Sequence, residues 1–497
     1  MAYKSYMENQ KVRTRFAPSP TGYLHIGGLR TALYSYLFAK QHNGQFVLRL
    51  EDTDQKRLVQ DAAEVIYNGL RWAGINYDEG PDINGPFAPY IQSQRLDIYK
   101  KYAQELIDKD HAYYCFCDEA TLETMRNEQV AKKLAPKYDR RCLSLSKEDI
   151  KIKLEQNQPH VIRMKIPNGR IIEINDIIRG KVTYKSDDLD DQVLQKSDGY
   201  PTYHLAVVID DYLMKISHIT RSEEWLPSTP KHILLYEYFG WEVPAFAHLP
   251  LLLNTDKTKM SKRKGDVAAG DYIKKGYLPE ALVNYLAFLG WNPGTPSSAK
   301  ASAGKEKEIY SMTELLQDFK LEKVHKAGAV FNIEKLNWYN SHYLRQLPEN
   351  ELLEKFRPYL PENNAFSDEQ IKKMLNLEKE RSSNLLDMAE SLKFFFEAIP
   401  YDKNLLKWKE MTDEEIKKSL RNSKEIISNI DDKDFNKENI TQILLAETAN
   451  WKNKGELLWP LRVALSGQKN SPPPFDIIEI FGKKETLARI EMAISLL

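Results

Sequence analysis

A strand-to-helix transition near the N-terminus limits the possible folds of this chain more than any other sequence feature. Residues 12–17 have the length and composition of a short strand, and prolines in the segment 18–22 end it because they lack the N–H donor. Residues 26–42 then repeat apolar side chains at helical spacing. A second strand at 46–50 and a second helix at 62–73 follow. This order predicts parallel βαβ units and an open α/β sheet.

The pattern changes in the next segment of the chain. Residues 115–200 contain short apolar or alternating runs around Asn168-Gly169, a dipeptide typical of hairpin turns. We therefore expect an inserted α+β module there. The apolar run 203–210 predicts a further strand, which ends in two aspartates, and 228–239 predicts a helix with Pro230 in its first turn. Beyond about residue 310 the periodicity is mostly helical, as at 374–397 and 413–430.

Charge and composition set limits on partners and location. Lys plus Arg and Asp plus Glu both number 71, so bulk charge does not indicate a nucleic-acid partner, and any basic surface must be local. Three cysteines, Cys115, Cys117 and Cys142, are too few and too clustered for a secreted disulfide framework. The sequence has neither an apolar signal-peptide core nor an apolar run long enough to span a membrane. We expect a reduced, cytoplasmic setting.

Two segments carry residue types suited to phosphate chemistry. His25, Gly27 and Gly28 stand at the start of the first helix, where free N–H groups and the helix dipole attract phosphate. Residues 257–265 hold five basic side chains, whose mutual repulsion a polyphosphate would offset. Taken singly, the first is also compatible with an ordinary turn capped by a histidine, and the second with a solvated basic loop.

The motifs, taken together and in order, resemble one family. The chain reads TRFAPSPTGYLHIGG from Thr14, RLEDTD from Arg49, YPTYHLA from Tyr200, RSEEW from Arg221 and KMSKR from Lys259. Their order and spacing resemble those of the bacterial glutamyl-tRNA synthetases, which are class I aminoacyl-tRNA synthetases. The resemblance extends from about residue 12 to the end of the chain. It implies an α/β Rossmann-like catalytic domain with an α+β insertion, followed by an all-helical C-terminal region.

The resemblance also implies the residues of the site. His25 and Lys262 would be the catalytic residues, which stabilise charge while a carboxylate of the amino acid attacks the α-phosphate of ATP. ATP would be bound by Pro18, Thr21, Gly22, His25, Gly27, Gly28, Lys259, Met260, Ser261, Lys262 and Arg263. Glutamate would be bound by Arg15, Ala17, Ser19, Glu51, Tyr203, Arg221 and Trp225.

The residues alone leave other interpretations of this pocket open. Arginine suits a carboxylate because its fork binds both oxygens. However, Arg15 could be an exposed strand residue paired with Glu51, and Arg221 could pair with one of the glutamates that follow it. Tyr203 and Trp225 could be core aromatics. The resemblance favours the pocket for all of these residues, with Tyr203 and Trp225 as its walls.

The predicted domains follow the same resemblance. They are the first half of the Rossmann domain at 12–114, an acceptor-end-binding module at 115–200, the second half of the Rossmann domain at 201–255, the KMSKR loop and stem-contact region at 256–340, and a helical anticodon-binding region at 341–497. Stacking of the RNA end on aromatic side chains is expected in the inserted module. The candidates there are Tyr113, Tyr114, Phe116 and Tyr138.

The predicted partners are L-glutamate, ATP and tRNA(Glu), with the chain as a monomer and no membrane contact. Magnesium would enter with ATP. Zinc is not expected: some family members bind it through Cys-x-Cys and a later Cys-x-His or Cys-x-Cys pair, but here the fourth position is Ser144, a poor ligand. Asp139 or His160 could complete the set, although nothing demands it, and buried reduced thiols are the favoured interpretation.

Three other functions compete with this prediction. A catalytically silent tRNA-binding paralogue is disfavoured because His25 and Lys262 are both present. A small-molecule nucleotidylyltransferase shares the histidine-glycine turn but would have no use for the long helical C-terminal third. The glutaminyl-tRNA synthetases are the nearest relatives, but their opening segment typically differs from Ala17-Pro18-Ser19. Whether tRNA(Gln) is also charged is not encoded in any residue that we can identify.

Overall fold

The computed structural model describes residues 11–260, 268–293 and 307–497. The chain forms two compact units. The first consists of Met1–Tyr272 and Leu282–Ile333, and the second of Ile273–Ala281 and Glu334–Leu497. Within the described ranges, no helix combines the length and the apolar character needed to cross a membrane.

A six-stranded, mostly parallel sheet organises the first unit. Its strands, in spatial order, are β2 (Gln45–Leu48), β1 (Arg13–Phe16), β8 (His218–Ser222), β9 (Ala245–Leu249), β5 (Ile171–Asp176) and β6 (Gly180–Lys185). All neighbours are parallel except β5 and β6, which form an antiparallel hairpin. The predicted open α/β sheet with parallel βαβ units is therefore confirmed.

Helices cover this sheet and connect its strands. In the first unit they are α1 (Ile26–Gln41), α2 (Ala62–Trp72), α3 (Leu96–Asp108), α4 (Glu119–Ala131), α5 (Lys147–Glu155), α6 (Tyr203–Leu213), α7 (Thr229–Phe239) and α10 (Met312–Asp318). Helix α1 begins at its predicted position, and its apolar face is fully buried against the sheet. Helices α8 (Ala269–Lys274) and α9 (Pro279–Phe288) each have residues in both units.

The inserted segment contributes to two sheets. Strands β3 (Ala112–Cys115), β4 (Val161–Met164) and β7 (Val193–Gln195) form a separate antiparallel sheet, whereas β5 and β6 extend the main sheet. The hairpin predicted at Asn168-Gly169 is therefore wrong, because this turn connects strands of different sheets. Gly169 does take the left-handed conformation of a turn, with φ of +67°. Local turn chemistry fixes that conformation, but pairing of β5 with β9 decides the partner.

The strand predicted at 203–210 is also wrong. These residues form helix α6, and the side chains from Leu205 to Asp211 are all buried. A continuous apolar run fits a helix buried on all sides as well as it fits a buried strand, so the run alone does not distinguish the two. The extended backbone of Thr202, with φ of −79° and ψ of 164°, precedes the first turn.

The second unit is helical in its described part, as predicted. Its helices are α11 (Ile333–Gln346, which starts in the first unit), α12 (Glu349–Phe356), α13 (Asp368–Glu378), α14 (Leu385–Phe396), α15 (Asp413–Ser428), α16 (Lys437–Glu447), α17 (Lys454–Ser466) and α18 (Pro474–Ser495). The helical stretch expected at 374–397 is divided between α13 and α14, and the Asn384 side chain caps α14 by accepting from the Asp387 N–H at 2.9 Å.

A short parallel pair, β10 (Leu252–Leu253) and β11 (Ala329–Val330), completes the first unit.

Candidate active site

A cleft of about 1100 Å³ opens at the carboxyl ends of the parallel strands β1, β2, β8 and β9. Segments that follow these strands form its walls, which is where open α/β sheets bind ligands. The predicted site residues that line it are Arg15, Ala17, Ser19, Thr21, His25, Gly27, Gly28, Glu51, Tyr203, Arg221, Trp225, Lys259 and Met260. Residues that are distant in sequence thus share one cavity, and positive and negative side chains both face it.

Some of the predicted ATP-binding residues do not line this cleft. Pro18 and Gly22 are absent from its walls. The Pro18 carbonyl instead accepts a hydrogen bond from the Glu51 N–H at 3.0 Å, which ties the end of β1 to the acidic turn. Ser261, Lys262 and Arg263 lie outside the described residues, so their predicted roles stay predictions.

His25 occupies the N-cap of α1. Its backbone is extended, with φ of −80° and ψ of 145°, and its Nδ1 accepts from the Gly27 N–H at 2.9 Å. The neutral ring therefore carries its proton on Nε2, where it is able to donate. A Cβ on Gly27 would lie 3.1 Å from His25 Nδ1, which is closer than side chains normally tolerate. The glycine thus keeps the histidine close to the helix N-terminus, where phosphate binds favourably.

The described ends of the lysine-rich segment are attached to the cleft. The Met260 N–H donates to the Leu252 carbonyl at 3.0 Å. On the other side, Ala268 forms a backbone bridge with His25, and the Ala269 N–H donates to the Leu24 carbonyl at 2.8 Å. The segment therefore leaves the cleft wall at Met260 and returns beside the catalytic candidate His25.

Arg15 and Glu51 are fixed by a buried ionic network. Arg15 is only 3% exposed, and its Nε donates to Asp211 at 3.0 Å. Arg49, which is fully buried, pairs with both Asp211 at 2.8 Å and Glu51 at 3.0 Å. Burial raises the pKa of the Glu51 carboxyl, and the Arg49 and Arg15 cations offset part of that effect. The alternative that Arg15 is an exposed residue paired with Glu51 is therefore wrong.

Arg221 lies on β8 with its guanidinium directed at neutral acceptors. Its Nη1 donates to the Tyr203 hydroxyl at 3.0 Å, and its Nε donates to Nε2 of His248 at 3.0 Å. The glutamates that follow it bind other cations: Glu223 pairs with Arg179, and Glu224 with Lys259. The alternative that Arg221 pairs with one of these glutamates is therefore also wrong.

Tyr203 and Trp225 pack against each other beside Arg221. Their ring centroids lie 4.2 Å apart, and Trp225 is 39% exposed. Both side chains line the cleft and thus form part of its wall. The exposure of Trp225 favours a position in the cleft wall, because a core aromatic would not leave over a third of its surface accessible. The prediction that the two rings wall a pocket for the substrate stays a prediction.

Sequence reasoning missed the residues that hold these arginines in place. Asp211 binds Arg15, and the side chains of Asp176, Thr229, His232 and His248 surround Arg221 directly or through one neighbour. Only the aspartate pair at 210–211 gave a sequence signal, because two acidic side chains inside an apolar run need buried cationic partners. The other residues lie on α7, β9 and β5 and have no local pattern that marks them.

The three cysteines form a cluster in the inserted segment. The Sγ atoms of Cys115, Cys117 and Cys142 all lie within 4.8 Å of one another. The Tyr138 hydroxyl sits among them, 3.3 Å from Cys115 Sγ and 3.4 Å from Cys117 Sγ. Ser144, the residue at the fourth position of the motif, uses its hydroxyl to donate to the Arg141 carbonyl.

The other two candidates for a fourth zinc ligand do not join the cluster. Asp139 pairs with Arg141 at 2.7 Å, and neither Asp139 nor His160 belongs to the group of potential ligand atoms that the three thiols form. A closed zinc site wants four nitrogen or sulfur ligands. Among the described residues, the donor set therefore offers three thiols and a phenol, which does not fit such a site.

The aromatic candidates for RNA stacking differ in accessibility. Tyr113 and Tyr138 are buried, and the Tyr113 hydroxyl donates to Asp191 at 2.7 Å. Neither ring can stack with a nucleotide base without leaving the core, so these two candidates are wrong. Tyr114 and Phe116 are only partly buried and remain candidates.

A comparison with protein-family models defines the chain as a whole. Residues 11–338 match "tRNA synthetases class I (E and Q), catalytic domain", and residues 351–494 match "Anticodon binding domain". A glutamate–tRNA ligase of Chlorobaculum parvum is 47% identical over 509 residues, which cover 98% of each chain. The chain belongs to the glutamate–tRNA ligase family. The order of the sequence motifs implies the same family.

Further glutamate–tRNA ligases agree over the same length. The enzyme of Alkaliphilus metalliredigens is 43% identical over 505 residues, with 97% of this chain and 98% of the relative covered. Among solved structures, a glutamate–tRNA ligase from Elizabethkingia meningosepticum in complex with its amino acid is 43% identical, with a TM-score of 0.84 and coverage of 98% and 99%. The fold class predicted from the sequence, a class I catalytic domain followed by a helical region, is confirmed.

Four poorly solvated histidines of the first unit predict a loss of stability on acidification. Burial lowers the pKa of His204 to about 3 and of His218 to about 4, and it also lowers the pKa of His232 and His248. Below the unfolded-state pKa of about 6.5, the unfolded chain binds protons that the folded chain excludes. The free energy of unfolding should therefore be steady above pH 7 and fall as pH decreases through 6.5.

Urea unfolding at pH 7.5, 6.0 and 5.0 measures this dependence. The free energy of unfolding of the first unit is taken from the fluorescence transition that belongs to that unit. The substitution His204→Gln should make the free energy of unfolding less dependent on pH, by the contribution of up to one proton. It removes one side chain that binds a proton in the unfolded chain but not in the folded chain. Stability that stays constant from pH 7.5 to 5.0 would contradict the assignment. The titrations of Asp176 and Asp211 lie below this window, because their pKa values are lowered from 3.8. The raised pKa of Glu51 acts in the opposite direction, since the folded chain binds that proton more readily than the unfolded chain does.

Proposed function

We propose that the cleft activates L-glutamate with ATP and transfers the glutamyl group to the 3′ end of tRNA(Glu). The observation that carries this proposal is Arg221: a cation only 6% exposed, at the wall of a large cleft, with neutral hydrogen-bond acceptors around it. Such a cation needs an anion from the ligand. Glutamate supplies one through its side-chain carboxylate, which the guanidinium fork binds well.

The first step joins glutamate to AMP. An oxygen of the α-carboxylate attacks the α-phosphorus of ATP, and the bond from that phosphorus to the bridging oxygen breaks as pyrophosphate leaves. His25 donates from Nε2 to the phosphoryl oxygens, and Lys262 neutralises the charge that accumulates there. The α1 N-terminus at Gly27 and Gly28 attracts the phosphates through the helix dipole and the close backbone approach that glycine allows, while the Gly27 N–H itself donates to His25 Nδ1.

The remaining ATP contacts come from the same two segments. Thr21 lies in the turn after β1, and Lys259, Met260, Ser261 and Arg263 belong to the lysine-rich segment. Support for a role of the undescribed residues 261–263 comes from their neighbours, since Met260 lines the cleft and Ala268 pairs with His25. Mg²⁺ bound to the phosphates would reduce their charge further.

The glutamate pocket provides charged groups for the side-chain carboxylate and for the ammonium of the amino acid. Arg221 binds the side-chain carboxylate, with Arg15 beside it, and Glu51 accepts the ammonium. Ala17 and Ser19 line the backbone of the substrate, and the wall formed by Tyr203 and Trp225 excludes water. An arginine that faces the neutral amide of glutamine loses its counter-charge, which is the kind of mismatch that gives large discrimination.

The second step uses the tRNA. A hydroxyl of the terminal ribose attacks the glutamyl carbonyl carbon, the bond to the phosphate oxygen breaks, and AMP leaves. We assign the acceptor end to residues 115–200, the stem to 256–340 and the anticodon to 341–497, with the Rossmann domain divided between 12–114 and 201–255. Tyr114 and Phe116 are the stacking candidates that this assignment retains. The cytoplasmic location and the monomeric state stay predictions.

Aminoacylation of two purified transcripts tests the proposal. The chain, with ATP, Mg²⁺ and labelled glutamate, should charge tRNA(Glu), and it should catalyse pyrophosphate exchange once that tRNA is present. Parallel reactions with tRNA(Gln) define the range of tRNA partners. If the chain binds tRNA(Glu) but shows neither exchange nor charging, it is a silent tRNA-binding paralogue and the proposed activity is wrong.

A further inference from the structure

The arginines of the cleft differ in how their charge is compensated. Arg15 pairs with Asp211 at 3.0 Å, and Arg49 lies within 4.0 Å of three carboxylates. Arg221 is as deeply placed as Arg15, yet in the described parts of the chain it has no carboxylate partner. A buried cation normally has a counter-charge, because its desolvation is expensive. The exception at Arg221 therefore needs a reason.

Five neutral groups accept hydrogen bonds from Arg221. Two of them are hydroxyls, that of Tyr203 on α6 at 3.0 Å and that of Thr229 on α7 at 2.8 Å. A third is the backbone carbonyl of Trp225, just before α7, at 3.5 Å. The other two are imidazole nitrogens of His232 and His248. Together the five acceptors hold the guanidinium in place without neutralising its charge, and a substrate carboxylate that reaches the fork replaces the longest of these contacts, the Trp225 carbonyl at 3.5 Å.

Two histidines complete this set because each has its proton drawn to the opposite side. Asp176 accepts the Nδ1 proton of His248 at 2.6 Å, which leaves the Nε2 lone pair facing the Arg221 Nε–H at 3.0 Å. His232 places Nδ1 at 3.2 Å from Arg221 Nη1, and its Nε2 lies 3.0 Å from Nδ1 of His204. The hydrogen-bond partners assign these tautomers.

We propose that Thr229, His248 and Asp176 are positioning residues that determine the specificity of the cleft for glutamate over glutamine. They fix the Arg221 guanidinium with neutral acceptors and keep the Asp176 carboxylate one imidazole ring away from it. The full charge of Arg221 is then available to the side-chain carboxylate of the substrate. A carboxylate in direct contact with Arg221 would take that charge and favour a neutral amide instead. This inference rests on the proposed function of Arg221.

The neutral side chain at position 229 is not required by helix α7. Thr229 is the first residue of α7, and an acidic side chain in the first turn of a helix is favoured by the helix dipole. Aspartate would thus suit the helix at this position at least as well as threonine. A neutral hydroxyl nevertheless occupies it, 2.8 Å from Arg221 Nη2.

A pair of variants of nearly equal size tests the charge directly. Thr229→Asp places a carboxylate where the hydroxyl now accepts, whereas Thr229→Asn places a neutral amide there. We expect kcat/KM for glutamate to be at least about tenfold lower in T229D than in T229N, through KM, since one charge-assisted contact is worth about 1.5–3 kcal/mol. KM for ATP should agree between the two variants. The ratio of glutamate to glutamine activation should fall only in T229D.

A second pair of variants tests whether the tautomer of His248 matters for glutamate binding. Asp176→Asn presents an amide donor to His248, which moves the imidazole proton to Nε2 and faces Arg221 with a donor. Adding His248→Gln provides an amide oxygen that accepts from Arg221 whatever stands at 176. We expect the double variant to have a lower KM for glutamate than D176N alone. A purely structural role of Asp176 predicts no such rescue, because the amide oxygen introduced by D176N still accepts from the N–H groups of Ile178 and Arg179 in both variants.

The outcomes separate this inference from the proposed function. Wild-type charging of tRNA(Glu) is measured first, and its absence overturns the proposed function itself. If the wild type charges but T229D and T229N share one KM for glutamate, the positioning role is wrong while the function stands. If T229D does not fold, as judged by its thermal unfolding midpoint, the pair D176N and D176N/H248Q decides: rescue supports the inference and a further loss overturns it.

Discussion

The substitution Arg221→Ala is expected to lower kcat/KM for glutamate by about 10²- to 10³-fold. Removing one partner of a buried, hydrogen-bonded charge pair costs about 3–5 kcal/mol, and each 1.4 kcal/mol is a factor of ten. The effect should fall mainly on KM for glutamate, because the guanidinium binds the side-chain carboxylate and not the reacting one. Steady-state pyrophosphate exchange in the presence of tRNA, with glutamate and ATP varied in turn, measures both constants.

Arg170 provides a matched control for this substitution. It is an arginine of the same unit, its side chain is 44% exposed, and it pairs with Glu237 on the surface. Exposed pairs of this kind contribute little to stability. Arg170→Ala should therefore leave the KM for glutamate within about twofold of wild type. An R221A enzyme with an unchanged KM for glutamate would exclude Arg221 from the pocket.

The substitution Lys262→Ala is expected to slow adenylate formation by about 10²- to 10³-fold, the usual cost of losing one donor to a developing oxyanion. Lys262 is assigned to the phosphoryl oxygens, where charge develops as pyrophosphate leaves. Affinity for tRNA should change little, since the regions assigned to the acceptor end (115–200) and to the anticodon (341–497) do not include Lys262. Rapid-quench measurement of AMP formation and a filter-binding titration of tRNA(Glu) report on these two properties separately.

The control for this experiment removes a cation from the same segment. Lys257 does not line the cleft, and its backbone is left-handed, with φ of 63°. Asparagine tolerates that conformation better than alanine, so Lys257→Asn is the suitable change. It should slow adenylate formation by no more than a few-fold. A K262A enzyme with a wild-type rate would remove Lys262 from the mechanism.

Local sequence patterns predicted the elements that begin and end by local chemistry. Prolines after β1 and the apolar stripe of α1 each act within a few residues, and the structure has both where expected. The interpretation of 203–210 as a strand was wrong because burial on all sides erases the periodicity that distinguishes a helix from a strand. The Asn168-Gly169 turn was recognised, but its strands pair in different sheets.

The candidate site divides in the same way. The residues proposed to contact substrate lie in contiguous motifs, whose order implies the family. The groups that hold them do not. Asp176 and His248 belong to β5 and β9, and the pairing of β8 with β9 and of β9 with β5 brings them to Arg221. Thr229 reaches Arg221 through the segment that connects β8 to α7.

The sequence by itself determined the chemistry of this protein: which side chains carry charge, where helices present N–H groups to phosphate, and in which order the binding segments occur. The tertiary structure alone decided that Arg15 has an acidic partner in Asp211, while the partners of Arg221 among residues 11–260, 268–293 and 307–497 are neutral. The physical reason is that counter-charges are contributed by neighbouring strands and helices. Their register depends on packing between segments far apart in the chain, which no local pattern of residues records.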